Sequence, residues 1–146
     1  MGYEMSEQRS IEDLYSPVLT RHRNTPSNFF VLAEANVVVH ETNPLCGDDI
    51  TLYIREVEDN IVSASFQGYL CAVGTASASI MSEVVAATST THATELAQQF
   101  RRMMNGDAVE MASDLDALRS VCRYRIRVRC ALLPWLALEK ALRAAS

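Results

Sequence analysis

Ile50-Thr-Leu-Tyr-Ile-Arg-Glu-Val57, Glu58-Asp-Asn60 and Ile61-Val-Ser-Ala-Ser-Phe66 read in order as a strand, a turn and a second strand. Apolar and polar residues alternate on each side of the acidic turn, which is the period of a half-buried strand. The turn makes the pair a hairpin whose apolar face must be covered. Upstream, Phe29 to His40 is rich in β-branched and apolar residues and is read as another strand. The expectation is a small three-stranded antiparallel sheet. Before it, Ile11, Leu14, Tyr15, Val18 and Leu19 recur at helical spacing, predicting an amphipathic helix that ends near Asn24-Thr25-Pro26.

Beyond the hairpin the period changes. After Cys71, the small residues Gly74 to Ser79 lead into Ile80, Met81, Val84 and Val85, predicting a helix that starts close against the sheet, with Ser and Thr at its entrance as caps. A second helix is read from about Thr91 to Met104, capped by Thr90 or Thr91 and stopped by Asn105-Gly106. Ser113 with Asp116 three residues on opens a short third helix. A last one runs from Cys130 or Ala131 to Arg143 and buries Leu132, Leu133, Trp135 and Leu136. A sheet followed by helices, with no Gly/Ser linker or internal repeat, is an α+β arrangement over residues 1–146 as one domain.

Composition excludes several classes. The chain is 49% hydrophobic and 21% charged, which suits a globular core and not disorder. No apolar run approaches the roughly 20 residues needed to cross a bilayer, and the polar start lacks a signal peptide's basic and apolar regions. A cytoplasmic protein without a membrane partner is expected. The net charge of −5 argues against nucleic acid, whose phosphates call for an excess of Lys and Arg. A local excess does occur where Arg123, Arg125, Arg127 and Arg129 alternate with Tyr124, Ile126 and Val128. An extended conformation would gather the arginines on one face, either as a solvated edge or as a docking surface for an acidic protein.

Four cysteines in a reducing compartment are ligands, reactive thiols or buried fillers rather than disulfides. Three stand in distinctive settings: Asn43-Pro-Leu-Cys-Gly-Asp48, Gly68-Tyr-Leu-Cys-Ala72 and Arg129-Cys-Ala-Leu-Leu-Pro-Trp135. Cys71 and Cys130 are each expected at a helix N-terminus, where free N–H groups favour the thiolate that binds metal and attacks sulfur. No C-x-x-C or H-x-x-x-H pair occurs, so spacing alone is only weakly metal-like. Cys122 matches none of the three settings and is read as a filler, with a spare thiol as the alternative.

Asn43-Pro44, Cys46-Gly47-Asp48, Leu70-Cys71 running into Ala76-Ser-Ala-Ser-Ile-Met-Ser-Glu83, and Cys130-Ala-Leu-Leu-Pro-Trp135 resemble the three cysteine boxes of the IscU/SufU (NifU N-terminal-like) iron–sulfur cluster assembly proteins. Leu14-Tyr15, Val18-Leu19, Arg21-His22-Arg23-Asn24 and Pro26-Ser-Asn28 resemble that family's first helix and the turn after it. Arg129 stands where IscU-type members carry a His, and the segment from Cys71 to Cys130 is longer than theirs, with Met103 to Asp114 as the inserted part. Both features resemble the SufU type. The Leu-Pro-Pro-Val-Lys motif for a dedicated Hsp70 system is absent before Cys130.

The resemblance implies that Cys46, Asp48, Cys71 and Cys130 converge on one ion at one end of the fold. Zinc at rest, or iron and a [2Fe–2S] cluster during assembly, are the implied cofactors. A cysteine desulfurase and apo iron–sulfur recipient proteins are the implied partners, with Cys46 and Cys130 as the candidate persulfide acceptors. Two roles stay open, a zinc-dependent sulfurtransferase and a non-enzymatic cluster scaffold. A structural zinc domain that only mediates protein contacts is the reading from a different class. Of the histidines, His22, His40 and His92 are placed at the surface or core edge, with His40 the one candidate auxiliary ligand.

Overall fold

The two alternating runs meet across a two-residue turn. In the computed structural model, which describes residues 16–111 and 113–145, β2 (Asp48–Val57) and β3 (Asn60–Tyr69) pair antiparallel with Val57 opposite Asn60. Glu58 and Asp59 both take positive φ, 50° and 64°. That is the left-handed pair which lets so short a turn follow the twist of its strands. β1 (Val37–Asn43) lies antiparallel on the far side of β2. Along β2, Ile50, Leu52 and Ile54 are fully buried while Thr51, Tyr53 and Arg55 alternate with them.

Two expectations about the sheet need correction. It has four strands in the order β1-β2-β3-β4, because β4 (Thr88–Ser89) pairs with Asn60 and Ile61. Two residues are too few to show any alternation in a sequence. The run from Phe29 is extended strand only from Val37 onward. Phe29 makes one isolated parallel bridge to Phe66, with the rings edge to face at 5.3 Å. Asn28, with φ of 60°, and the turn at Ala33-Glu34 break the run before it can join a ladder.

The helices cover the apolar face. α1 (Pro17–Asn24) is capped by Ser16, whose Oγ accepts the Leu19 N–H, and it ends before Pro26 as expected. Ile11, Leu14 and Tyr15 lie outside the described residues. α2 (Ala72–Val85) takes Cys71 itself as its cap. α3 (Thr90–Met104) is capped by Ser89 rather than by either threonine, and it stops at Asn105 and the left-handed Gly106. The short stretch predicted from Ser113 is a 3₁₀-helix to Arg123.

α4 (Arg125–Ala145) begins well before Cys130. The Val128 N–H already donates to the Tyr124 carbonyl at 2.9 Å, so the alternating arginines are helical and not extended. A period-2 pattern over so short a run loses to the helix continuing behind it, for which arginine is a good former. α4 packs against β1, β2, α2 and α3. Its Trp135 is fully buried and stacked on Phe100 at 4.6 Å, a pair of side chains each contributing roughly 1.5–3 kcal/mol by burial. Leu133 is buried with it, whereas Leu136, expected inside, is 39% exposed. Among the described residues no helix is long and apolar enough to cross a membrane.

Candidate metal centre

The β1–β2 connection, Pro44 to Gly47, is closed on itself. Asn43 Oδ1 accepts the Leu45 N–H at 3.1 Å, the Asn43 carbonyl accepts the Gly47 N–H at 2.9 Å, and Gly47 takes a φ of 76°. Asn43 and Asp48 face each other at the end of the ladder, so Cys46 is presented by a short, hydrogen-bonded loop. Asp48 opens β2 and is buried.

Cys71 leaves β3 and caps α2, its sulfur accepting the Gly74 N–H at 3.4 Å. Its own backbone N–H donates to both Asp48 carboxylate oxygens, at 3.2 and 3.1 Å. Gly74 makes this approach possible, since a Cβ there would stand 2.9 Å from Asp48 Oδ2. Cys130 sits in the second turn of α4, fully buried, with its thiol donating to the Ile126 carbonyl at 3.6 Å.

One thiol sulfur each from Cys46 and Cys130 and one carboxylate oxygen of Asp48 all lie within 4.8 Å of one another. The Cys71 sulfur is not among these mutually close atoms, although it lies near enough to act on the Cys130 thiol. Burial is the main force pushing the Cys130 thiol far above its ordinary range, followed by hydrogen bonding with the neighbouring Cys71 and Cys46 side chains and by the charges of Cys71 and Asp48. Without an ion Cys130 therefore stays a protonated thiol. Two thiols and a carboxylate, with a third thiol at their edge, suit a divalent ion with a taste for sulfur.

The other expectations divide. Cys71 stands at a helix N-terminus as expected, but Cys130 does not, because α4 starts at Arg125. His40 pairs with Asp49 at 3.6 Å on the exposed side of the sheet and is not among the clustered ligands. Cys122 is half-buried, its Sγ 3.0 Å from the Met103 carbonyl, and burial raises its pKa, which suits a filler. His22 lies deeper than the surface or core edge. It is fully buried, with Nδ1 2.7 Å from Ser79 Oγ and Nε2 2.8 Å from Asp114 Oδ2. Its place three residues after Leu19, on the buried face of α1, was the available signal.

The helical arginines part company. Arg125 and Arg129 line a groove of about 320 Å³ with Asn43, Leu45, Cys46 and Ile126. Arg127 lines a different cavity of about 290 Å³ with Leu19, Arg23 and Cys71. Leu45 and Ile126 are both 70% exposed, so the mouth beside Cys46 is apolar with cationic edges.

Comparison with known proteins agrees with this architecture. Residues 14–142 match the family described as NifU-like N terminal domain. The chain is 34% identical over 140 residues to the zinc-dependent sulfurtransferase SufU of Bacillus subtilis (strain 168), covering 93% of this chain and 94% of that protein. It is 32% identical to the iron–sulfur cluster assembly scaffold protein IscU of Streptococcus pyogenes serotype M1, covering 91% and 85%. The crystal structure of a putative iron–sulfur cluster assembly scaffold protein for the SUF system from Fervidobacterium islandicum AW-1 superposes with a TM-score of 0.79 at 31% identity, over 88% of this chain and 96% of that one. The N-terminal part of a NifU-like protein from Brucella abortus shares the fold at a TM-score of 0.83 and 21% identity, over 92% and 95%. The chain belongs to the NifU-like N-terminal domain family.

Proposed function

We propose that this protein accepts sulfane sulfur from a cysteine desulfurase and serves iron–sulfur cluster assembly, with Cys46, Asp48, Cys71 and Cys130 as the ligands of one ion. The observation that carries the reading is the gathering of Cys46, Asp48 and Cys130 within 4.8 Å, with Cys71 tied to Asp48 through its backbone. The donor set fits zinc, as the name of the Bacillus subtilis relative suggests for that protein. It equally fits iron carried as cargo in a nascent [2Fe–2S] cluster, in keeping with the scaffolds named among the relatives. The free cysteines suit the reducing cytosol.

Zinc held by these residues would supply the positive charge that keeps their thiols deprotonated. The residues of the chain divide the remaining work. Cys130 is fully buried and holds the site together from α4, whereas Cys46 is half-buried on its loop beside the open groove. That contrast favours Cys46 as the persulfide acceptor over Cys130. Its thiolate attacks the outer sulfur of the desulfurase's cysteine persulfide. A new S–S bond forms on Cys46 as the donor's S–S bond breaks, and the electron pair leaves with the donor's cysteine thiolate, so no external oxidant or reductant is consumed.

A purely structural zinc site would be closed and saturated. Here one ligand loop borders a groove with apolar and cationic walls, which favours a site that exchanges ligands with a partner. The test is metal content after dialysis together with desulfurase turnover. Cys46→Ser, Cys71→Ser and Cys130→Ser should each lower metal occupancy and abolish the stimulation of turnover. Unchanged occupancy in all three variants would overturn the ligand assignment.

A further inference from the structure

We infer that His22, Glu83 and Asp114 form a second cation site, for a divalent ion of the zinc or iron(II) kind. One ligand atom from each residue lies within 4.8 Å of the others. His22 Nε2 is 2.8 Å from Asp114 Oδ2 and 3.8 Å from Glu83 Oε1. Ligand atoms bonded at about 2.0 Å in a tetrahedral site stand about 3.3 Å apart, which lies between these two separations. Small rotations of two carboxylates, each on a partly exposed side chain, bring them to an ion, while the imidazole is fixed at the bottom of the site with no exposure at all.

The groups around the three ligands favour this use. Ser79 Oγ is 2.7 Å from His22 Nδ1 and also accepts the Ser27 N–H at 2.7 Å. Ser79 is fully buried in α2, so it fixes the ring from behind. Ligating histidines characteristically donate their second N–H to such a partner. Neutral His22 can place its one proton on Nδ1, facing Ser79, and leave the Nε2 lone pair for the ion. Glu83 has divided its oxygens in the same way. Oε2 is held by Ser27 Oγ and by Arg21 Nη1, the latter at 3.3 Å, leaving Oε1 toward the imidazole.

A cation already lies beside this spot. Arg21 Nη1 is 2.9 Å from His22 Nε2 and 3.3 Å from Nδ1, against the ring, while it pairs with Glu83 Oε2, and Arg21 is 54% exposed. Its guanidinium can therefore swing into solvent when a divalent ion binds at Nε2. Such an ion would join α1, α2 and the 3₁₀-helix, the three segments that supply His22, Glu83 and Asp114. Along α2, Ser79 lies on the order of 12 Å from Cys71, so this site is separate from the thiol cluster.

Cobalt(II) titration of the full chain distinguishes the two sites by spectrum. Cobalt bound by thiolates gives intense near-ultraviolet charge-transfer absorption, whereas cobalt bound by one imidazole and two carboxylates gives only weak visible bands. Two equivalents should bind. Asp114→Asn and Glu83→Gln should each remove the weakly absorbing equivalent and leave the thiolate absorption intact, and Ser79→Ala should weaken that equivalent 10- to 100-fold. Arg21→Gln, which removes the competing cation, should tighten it. Retained folding is checked by circular dichroism, and Arg21→Gln gives an answer even if a carboxylate variant misfolds. A single equivalent that carries the thiolate absorption, or a weakly absorbing one indifferent to all four substitutions, would overturn the inference. Loss of the thiolate absorption in wild type would instead count against the thiol site alone.

Discussion

Asp48 accepts the backbone N–H of Cys71 with both carboxylate oxygens, at 3.2 and 3.1 Å, and so ties the Cys46 loop to the start of the helix that Cys71 caps. In the proposed site the carboxylate would have two tasks, orienting the backbone of Cys71 and offering an oxygen to the ion. Asp48→Ala should cost about 1.5–3 kcal/mol of stability, the range for hydrogen bonds to a charged group, read by urea unfolding of the metal-free protein. The three thiols should still hold an ion in this variant, with water in the vacated place and faster release to a chelator. Normal stability and normal release would leave Asp48 without either task.

Gly74→Ala probes the same contact from the opposite side. The added methyl group would lie 2.9 Å from Asp48 Oδ2 and 3.3 Å from Leu70 Cδ2, so the carboxylate must move. Alanine is the better helix residue by about 1 kcal/mol, which offsets part of the crowding. Zinc affinity, measured by chelator competition, should therefore fall more than thermal stability does.

The helix that carries Cys130 is held by Ser77. Its Oγ donates to the Ala131 carbonyl at 2.6 Å and accepts the Trp135 indole N–H at 3.1 Å, all within the buried core. Ser77→Ala leaves the indole donor without an acceptor and should destabilise the protein by about 1–3 kcal/mol. Trp135→Phe in the Ser77→Ala background should cost less than it does in wild type, because the donor is already orphaned. Equilibrium unfolding of the four proteins as a double-mutant cycle gives the coupling.

The buried Cys130 thiol implies a pH dependence with a definite sign. Its pKa is raised in the folded protein, so above the ordinary thiol value of about 8.5 the unfolded chain loses this proton while the folded one keeps it. Stability is full below that pH and falls as pH rises past it. Urea midpoints of the metal-free protein between pH 7 and 10 should show the decline, and Cys130→Ser should flatten it.

Much of this could be read from residues in order. The alternation on either side of Glu58-Asp59 specifies the central hairpin, and the turn that ends α1 lies where Thr25 and Pro26 put it. The gathering of Cys46, Asp48 and Cys130 carries no local signal, because the residues come from two distant segments, and only the family resemblance, which adds Cys71, pointed to it. The start of α4 was hidden by Tyr124, Ile126 and Val128, whose alternation is too short to distinguish a strand from the first turns of a helix. β4 was invisible because its two residues form a strand only through bonds to Asn60 and Ile61. His22 is masked in the sequence by Arg21 and Arg23, whose charges read as a solvent-facing stretch.

The helix divides the arginines differently from an extended run. Arg125 and Arg129, one turn apart, share the groove with Cys46, whereas Arg127 does not. Arg125→Glu with Arg129→Glu should weaken desulfurase association at low salt and lose most of that effect at high salt, with metal content unchanged. Glutamate at position 125, in the first turn of α4, complements the helix dipole, and position 129 is exposed, so stability should hold. Calorimetry at two salt concentrations reads the difference, and Arg127→Glu serves as the weaker control.

The account is tested most directly by mapping where sulfur lands. The zinc-loaded protein is incubated with a cysteine desulfurase and cysteine, alkylated, digested and analysed by mass spectrometry. One added sulfur on the peptide containing Cys46, lost in Cys46→Ser and not moved to Cys122, is the result this account predicts. No persulfide on any cysteine, or an undiminished persulfide elsewhere in Cys46→Ser, would contradict it.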